Sequence, residues 1–262
     1  MSDLLNSGDW QTYMAFAHRL ADAASPITMA HFRTVMDVTD KGEGEFDPVT
    51  VADQQAETAM RGLITEHYPS HGILGEEYSE TTGSSRYQWV LDPIDGTRAY
   101  ISGLPTWGTL IALLEDGEPI LGIIDQPFTK ERYSGWTNGA LLNGEPIKSR
   151  TCKKLSDATL STTGTNWFTD SEREAFDRLK AACKLTRYGY DCYAYAMVAH
   201  GFMDIVAEAG LKTVDIMALI PIIRGAGGAV AGWKGDDVTD SGRLLAVGDA
   251  DLTGLAQEAL GL

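Results

Sequence analysis

Trp89-Val90-Leu91-Asp92-Pro93-Ile94-Asp95-Gly96-Thr97 is the stretch on which the reading of this chain turns. Its apolar start predicts a buried strand, and the run then breaks into two aspartates, a proline and a glycine. Carboxylates at the end of a buried strand are costly unless a cation meets them. Pro93 has no backbone N–H and biases Asp92 toward an extended conformation, while Gly96 permits a turn that most residues resist. Two carboxylates fixed side by side in this way find their simplest partner in a divalent metal ion.

Other acidic residues fall at the ends of predicted elements. Glu76 follows a short strand at Ile73-Leu74, Asp53 opens a helical pattern, and Asp215 opens another. With Asp92 and Asp95 they form an all-oxygen set without histidine or cysteine, which selects magnesium or manganese over zinc or copper. Each added residue also has an ordinary structural reading. Thr50-Val51-Ala52-Asp53 matches a capping box, Glu76 reads equally as a solvated loop residue, and Asp215 as a helix cap. Only Asp92 with Asp95 favours the functional reading on local grounds.

The chain has 262 residues, 44% of them hydrophobic, enough for a sizeable core in one large domain or two fused halves. Its formal charge of -16 argues against nucleic acid or an anionic membrane as partner. Three cysteines without CxxC spacing suggest neither a disulfide framework nor a zinc site. The first residues lack a basic segment followed by an apolar one, and the apolar runs are too short to span a bilayer, so a soluble cytoplasmic protein is the expectation.

Helical periodicity predicts a helix from Trp10 to Ala24, a second across His31 to Val38, and a third from Thr50 to His67. Between the last two lies a polar, glycine-rich segment, 40–48, read as a mobile loop that carries Lys41. Strands are expected at Thr106 to Leu114, Ile120 to Ile124 and Arg132 to Trp136, with a tight turn at Asp116-Gly117, in an antiparallel region. Beyond Gly144, strands such as Ala158 to Thr162 alternate with helices at Ser171 to Cys183, Cys192 to His200 and Asp215 to Ile223. That texture is α/β. The expectation is one unit over 1–262 with two sub-domains, 1–144 and 145–262. The five histidines show no ligand spacing, Tyr188, Tyr190, Tyr193 and Tyr195 read as core packing, and 225–228 reads as a helix end that lets backbones approach.

Asp92-Pro93-Ile94-Asp95-Gly96-Thr97, preceded by Gly75-Glu76-Glu77 and followed by Val214-Asp215, resembles the inositol monophosphatase superfamily of metal-dependent phosphatases, over roughly Lys41 to Gly228. The resemblance implies a layered αβαβα sandwich of the sugar-phosphatase type, two or three magnesium ions (manganese being an alternative), hydrolysis of a phosphate monoester, and a homodimer. By position it implies metal ligation by Glu76, Asp92, the backbone carbonyl of Ile94, Asp95 and Asp215. Asp53 would stand near a more weakly held ion. Glu76 and Thr97 would orient the attacking water, and Lys41 would lie near the metals, although a solvated surface lysine explains it as well. Charge supports the reading: a phosphate monoester is nearly dianionic, the chain has no P-loop, and bound ions must offset five acidic residues. Backbone N–H groups at Gly96 and Thr97, if they begin a helix, add an anion site.

Within the superfamily, 95–110, 187–195 and 208–212 are similar to histidinol-phosphate phosphatases. Inositol monophosphatases usually carry Thr-Asn-Phe after the central glycine, where this chain has Thr97-Arg98-Ala99-Tyr100, and they lack Asp191-Cys192-Tyr193. Asp191 and Glu208 are candidates to pair with the amine and imidazole of histidinol phosphate. A helix N-cap and a solvated strand end are their structural alternatives. Arg98 is a candidate substrate contact or a surface ion pair. Tyr190, in place of a second glycine, and the acidic loop around Glu43 and Glu45 depart from the usual pattern. An inositol or broad sugar-phosphate phosphatase is the alternative within the same chemistry. A silent metal-binding homologue is the alternative outside it.

Overall fold

Strands whose residues are apolar without interruption must be covered on both faces, and that requirement sets the layering. The computed structural model describes residues 10–35, 38–40 and 48–261. The first half contains α1 (Trp10–His31), β1 (Val38–Asp40), β2 (Pro48–Thr50), α2 (Val51–His67), β3 (Gly72–Gly75), β4 (Tyr87–Asp95) and α3 (Thr97–Ile101). It continues through β5 (Gly108–Glu115), β6 (Glu118–Gln126), β7 (Glu131–Trp136), β8 (Gly139–Leu142) and β9 (Glu145–Pro146). The second half contains β10 (Thr159–Thr162), α4 (Asp170–Ala182), β11 (Leu185–Tyr188), α5 (Asp191–Ala199), β12 (Ile205–Glu208), α6 (Thr213–Ile216) and α7 (Leu219–Gly225). It closes with β13 (Ala229–Ala231), α8 (Val238–Ser241), β14 (Leu244–Val247) and α9 (Leu252–Leu260).

β3 to β9 form a seven-stranded sheet in chain order, in which only the β3/β4 pair is parallel. The second sheet is mixed and five-stranded, in the order β11-β10-β12-β14-β13. Side chains alternate between the faces of both. Trp89, Leu91, Ile111, Leu113 and Ile123 pack under α1 and α2, whereas Val90, Leu110, Ala112 and Ile124 pack on the opposite side with α5, α6 and α7. Val206, Leu244 and Ala246 close that middle core from the second sheet, and Ile205, Ala207, Leu245 and Val247 face outward onto α4 and α9. The result is the layered αβαβα sandwich. Leu91, Ile111 and Leu113 are fully buried, and each such side chain contributes about 1.5–3 kcal/mol. The middle layer lies so close to the first sheet that a Cβ on Gly122 would be 2.1 Å from the Ala218 carbonyl oxygen, and one on Gly135 2.3 Å from Ile222 Cα.

Several expected elements differ. The second helix across His31 to Val38 is not formed: α1 runs on to His31, Arg33 at φ 59° turns the chain, and Val38 pairs with Thr50 in a two-stranded sheet. The helix expected from Asp215 to Ile223 is two short helices, α6 and α7. Of the four tyrosines assigned to the core, only Tyr195 is buried, and Tyr188 is exposed because β11 is an edge strand. The hairpin at Asp116-Gly117 is as expected, with both residues at positive φ. No described helix is long and apolar enough to cross a membrane.

Candidate active site

Asp92 and Asp95 stand at the end of β4, where the regular pairing with β5 is interrupted between them. Pro93 lacks the donor that continued pairing needs, and the local hydrogen bonds turn inward instead. The Ile94 N–H donates to Asp92 Oδ1 at 3.0 Å, the Thr109 hydroxyl to the Pro93 carbonyl at 2.8 Å, and the Thr97 hydroxyl to the Ile94 carbonyl at 3.0 Å. Gly96, at φ 81°, makes the turn into α3 that a side chain would resist.

Two other elements complete the acidic group. Asp215 on α6 accepts from the Lys212 N–H at 2.7 Å, and Asp95 Oδ2 accepts from the Cys192 N–H at the start of α5 at 2.6 Å. One carboxylate oxygen from each of Asp92, Asp95 and Asp215 lies within 4.8 Å of the others. Glu76, directly after β3, borders this triple, with Lys212 Nζ 3.7 Å from its Oε1. Asp53 is almost fully buried beside them. Its Oδ2 closes the capping box with the Thr50 N–H (2.9 Å) and hydroxyl (2.6 Å), while its Oδ1 is buried with no hydrogen-bond partner. Capping thus occupies only one of its two oxygens.

These carboxyls do not ionise easily together. Burial, followed by repulsion from Glu76, Asp95, Asp215 and Asp53, pushes Asp92 well above the usual carboxylate range. Burial and then Asp191 and Asp215 do the same to Asp95. Burial carries Asp53 and Asp215 up to about 6, against the hydrogen bonds that favour their charged forms. A close, mutually repelling, all-oxygen set with an orphaned buried oxygen fits a hard divalent cation.

The same cavity, about 290 Å³, has a second acidic wall. Glu208 ends β12, accepting from the Thr163 N–H at 2.6 Å and the Tyr195 hydroxyl at 2.8 Å. It is buried, which overturns the solvated strand-end alternative. Asp191 is the first residue of α5 and makes no capping bond there, Tyr190 being the N-cap. Its φ of 47° is unusual for a residue with a side chain, and its own N–H is held by Thr163 Oγ1 at 3.1 Å. Burial and then the Glu208 charge push its carboxyl up to about 7, with Arg98 opposing. Arg98 stacks its guanidinium 5.3 Å from the Trp167 ring centre.

Glu76, Asp92, Ile94, Asp95, Gly96, Thr97, Arg98, Asp191, Glu208 and Asp215 all line this one cavity. Asp53 adjoins it. Lys41, Glu43 and Glu45 lie outside the described residues. The cavity also takes in Thr163, Trp167 and Lys212, which the sequence reading did not single out, and Tyr195, which it assigned to the core. Lys212 stands in the 208–212 segment already noted, but the loop carrying Thr163 and Trp167 has no charge pattern to mark it.

The profile of the inositol monophosphatase family matches residues 9–260. The chain belongs to that family. Like other inositol monophosphatase family members it is a phosphatase of phosphorylated small molecules. It is 45% identical to the chloroplastic bifunctional phosphatase IMPL2 of Arabidopsis thaliana, over 98% of this chain and 77% of that protein. It is 32% identical to a histidinol-phosphatase of Chlorobaculum parvum, over 90% of this chain and 92% of the relative. Among solved structures, an inositol monophosphatase from Zymomonas mobilis superposes with a TM-score of 0.88 at 40% identity, covering both chains completely.

Proposed function

We propose that this phosphatase is a magnesium-dependent enzyme that hydrolyses L-histidinol phosphate to L-histidinol and phosphate. The observation that carries this is the second acidic wall: Asp191 and Glu208 line the cavity with the Asp92/Asp95/Asp215 triple but lie outside it. A substrate with a phosphate at one end and an ammonium and imidazole at the other matches both walls. Three histidinol-phosphatases at 32% identity, from Chlorobaculum parvum, Streptomyces coelicolor and Mycobacterium tuberculosis, support the choice.

In this reading Glu76, Asp92, the Ile94 carbonyl, Asp95 and Asp215 would hold two or three ions, and Asp53, whose Oδ1 has no hydrogen-bond partner, would serve the most weakly held one. Bound divalent ions supply polarisation of the phosphoryl oxygens and acidification of water. Thr97 Oγ1, which spends its proton on the Ile94 carbonyl, has lone pairs left to accept from the attacking water. Glu76 would take that water's proton as the water oxygen bonds to phosphorus and the ester P–O bond breaks, and would return it to the departing alkoxide to give L-histidinol. The amides of Gly96 and Thr97 hold the phosphate, and Arg98 restrains the approach to Asp191. The protein acts as a homodimer, which sedimentation analysis tests.

An inositol monophosphatase activity is the second reading, favoured by the likeness to the Zymomonas mobilis protein. Incubation with L-histidinol phosphate and magnesium tests the first: phosphate and histidinol should appear in equal amounts and stop on chelation. No release, or release indifferent to chelator, contradicts it.

A further inference from the structure

Asp53, Glu57 and Arg61 recur every four residues on α2 and share one helix face. Glu57 is fully buried, a position that a carboxylate tolerates only with good partners. Its Oε1 accepts from Arg61 Nε at 2.7 Å and its Oε2 from the backbone N–H of Glu77, also at 2.7 Å. A Cβ on Gly75 would lie 2.0 Å from Glu57 Oε1, so the chain there rests directly on this carboxylate. Arg61 reaches further, donating to the Tyr78 carbonyl at 3.1 Å and to Thr81 Oγ1 at 3.2 Å. Thr81 in turn pairs with Ile73 in β3. The segment 75–81 is therefore fastened to one helix face, with Glu76 between two of the contact points. Neither Glu57 nor Arg61 lines the cavity.

We propose that Glu57 is a positioning residue of the active site. Through Gly75 and the Glu77 amide it fixes the Glu76 carboxylate toward Asp92. Because Asp53 stands one turn earlier on the same helix, it also sets the spacing between Asp53 and Glu76. This rests on the reading of Glu76 as a ligand to metal and water. A purely structural ion pair would change stability alone.

The test uses the full chain and manganese chloride, following free Mn2+ by electron paramagnetic resonance, beside turnover with magnesium. Glu57→Ala should weaken Mn2+ binding about 10- to 100-fold, the range for residues that orient ligands. Turnover should fall while KM changes by less than about twofold, since the substrate wall is untouched. Glu57→Gln, which keeps one acceptor, should lose less. Gly75→Ala should weaken Mn2+ binding in the wild type but add little in the Glu57→Ala background, where the clashing oxygen is gone. Wild-type Mn2+ affinity in Glu57→Gln and Gly75→Ala overturns the proposal even if Glu57→Ala fails to fold, and so do losses that multiply in the double variant. Glu76→Gln separates the two readings. If Glu76→Gln leaves binding and turnover intact, the role of Glu76 falls and this inference with it. An inert Glu76→Gln beside a wild-type-like Glu57→Gln removes only the positioning role.

Discussion

The Cys192 backbone N–H donates to Asp95 Oδ2 at 2.6 Å, tying the start of α5 to the acidic end of β4 across 97 positions of sequence. The residue before Cys192 is Asp191, and a Cβ placed on Gly96 would lie 2.9 Å from its Cβ and Cγ. One backbone bond thus joins the carboxylates assigned to the reaction to the carboxylate assigned to the substrate.

Gly96→Ala should be damaging for two separate reasons. Its φ of 81° costs a residue with a Cβ about 1–2 kcal/mol, and the new methyl has to displace Asp191. Thermal melting should show the loss of stability, and kinetics should show KM for L-histidinol phosphate rising together with the fall in kcat. A variant with unchanged KM would show that Asp191 does not contact the substrate.

Asp191→Asn keeps the shape and, as asparagine tolerates positive φ, the backbone. In the proposed function it removes the charge assigned to the substrate cation, worth about 1.5–3 kcal/mol for a charged hydrogen bond, so KM for L-histidinol phosphate should rise about 10- to 100-fold. KM for an ester with a neutral alcohol, such as p-nitrophenyl phosphate, should scarcely move. Equal effects on both substrates would show a structural role instead.

Asp92→Asn removes a buried carboxyl whose ionisation burial and four neighbouring acids oppose. In chelator the variant should melt no lower than the wild type. If the site binds magnesium as proposed, saturation at about 100 times Kd should stabilise the wild type by about 2.7 kcal/mol, or roughly 5–10 °C in a chain of this size. That rise should vanish in the variant along with hydrolysis. Parallel melts with and without magnesium decide it.

The raised carboxyls also fix the sign of a pH dependence. Asp53 and Asp215 are pushed up to about 6 and Asp191 to about 7, above the roughly 3.9 of an unfolded chain. The folded state therefore holds more protons across this interval, and the associated stability, complete below about pH 4, is lost as the pH rises toward 7. In chelator Tm should fall between pH 5 and pH 7. With saturating magnesium the trend should flatten or reverse, because the ions take the deprotonated groups. A rise in chelator would contradict the account.

The β4 strand, the break after it, and the acidic residues at element ends were legible because each is a local pattern: apolar alternation, a proline, a glycine, a capping box. The two walls of the cavity depend on contacts that no local pattern records. Thr163 and Glu208 are 45 positions apart, and Cys192 and Asp95 are 97. Nothing in the sequence singles out Glu57 or Arg61, and only the fold places the Glu77 amide against them. The false helix at His31 to Val38 came from apolar spacing that carries no sign of the positive φ at Arg33.

In the proposed function the acidic cluster hydrolyses a phosphate monoester whose cationic end is chosen by Asp191 and Glu208. The most direct test is the ratio of kcat/KM for L-histidinol phosphate to that for myo-inositol 1-phosphate, measured on the same preparation with saturating magnesium. The account predicts a ratio well above one that collapses toward one in Asp191→Asn. A wild-type ratio at or below one would contradict it.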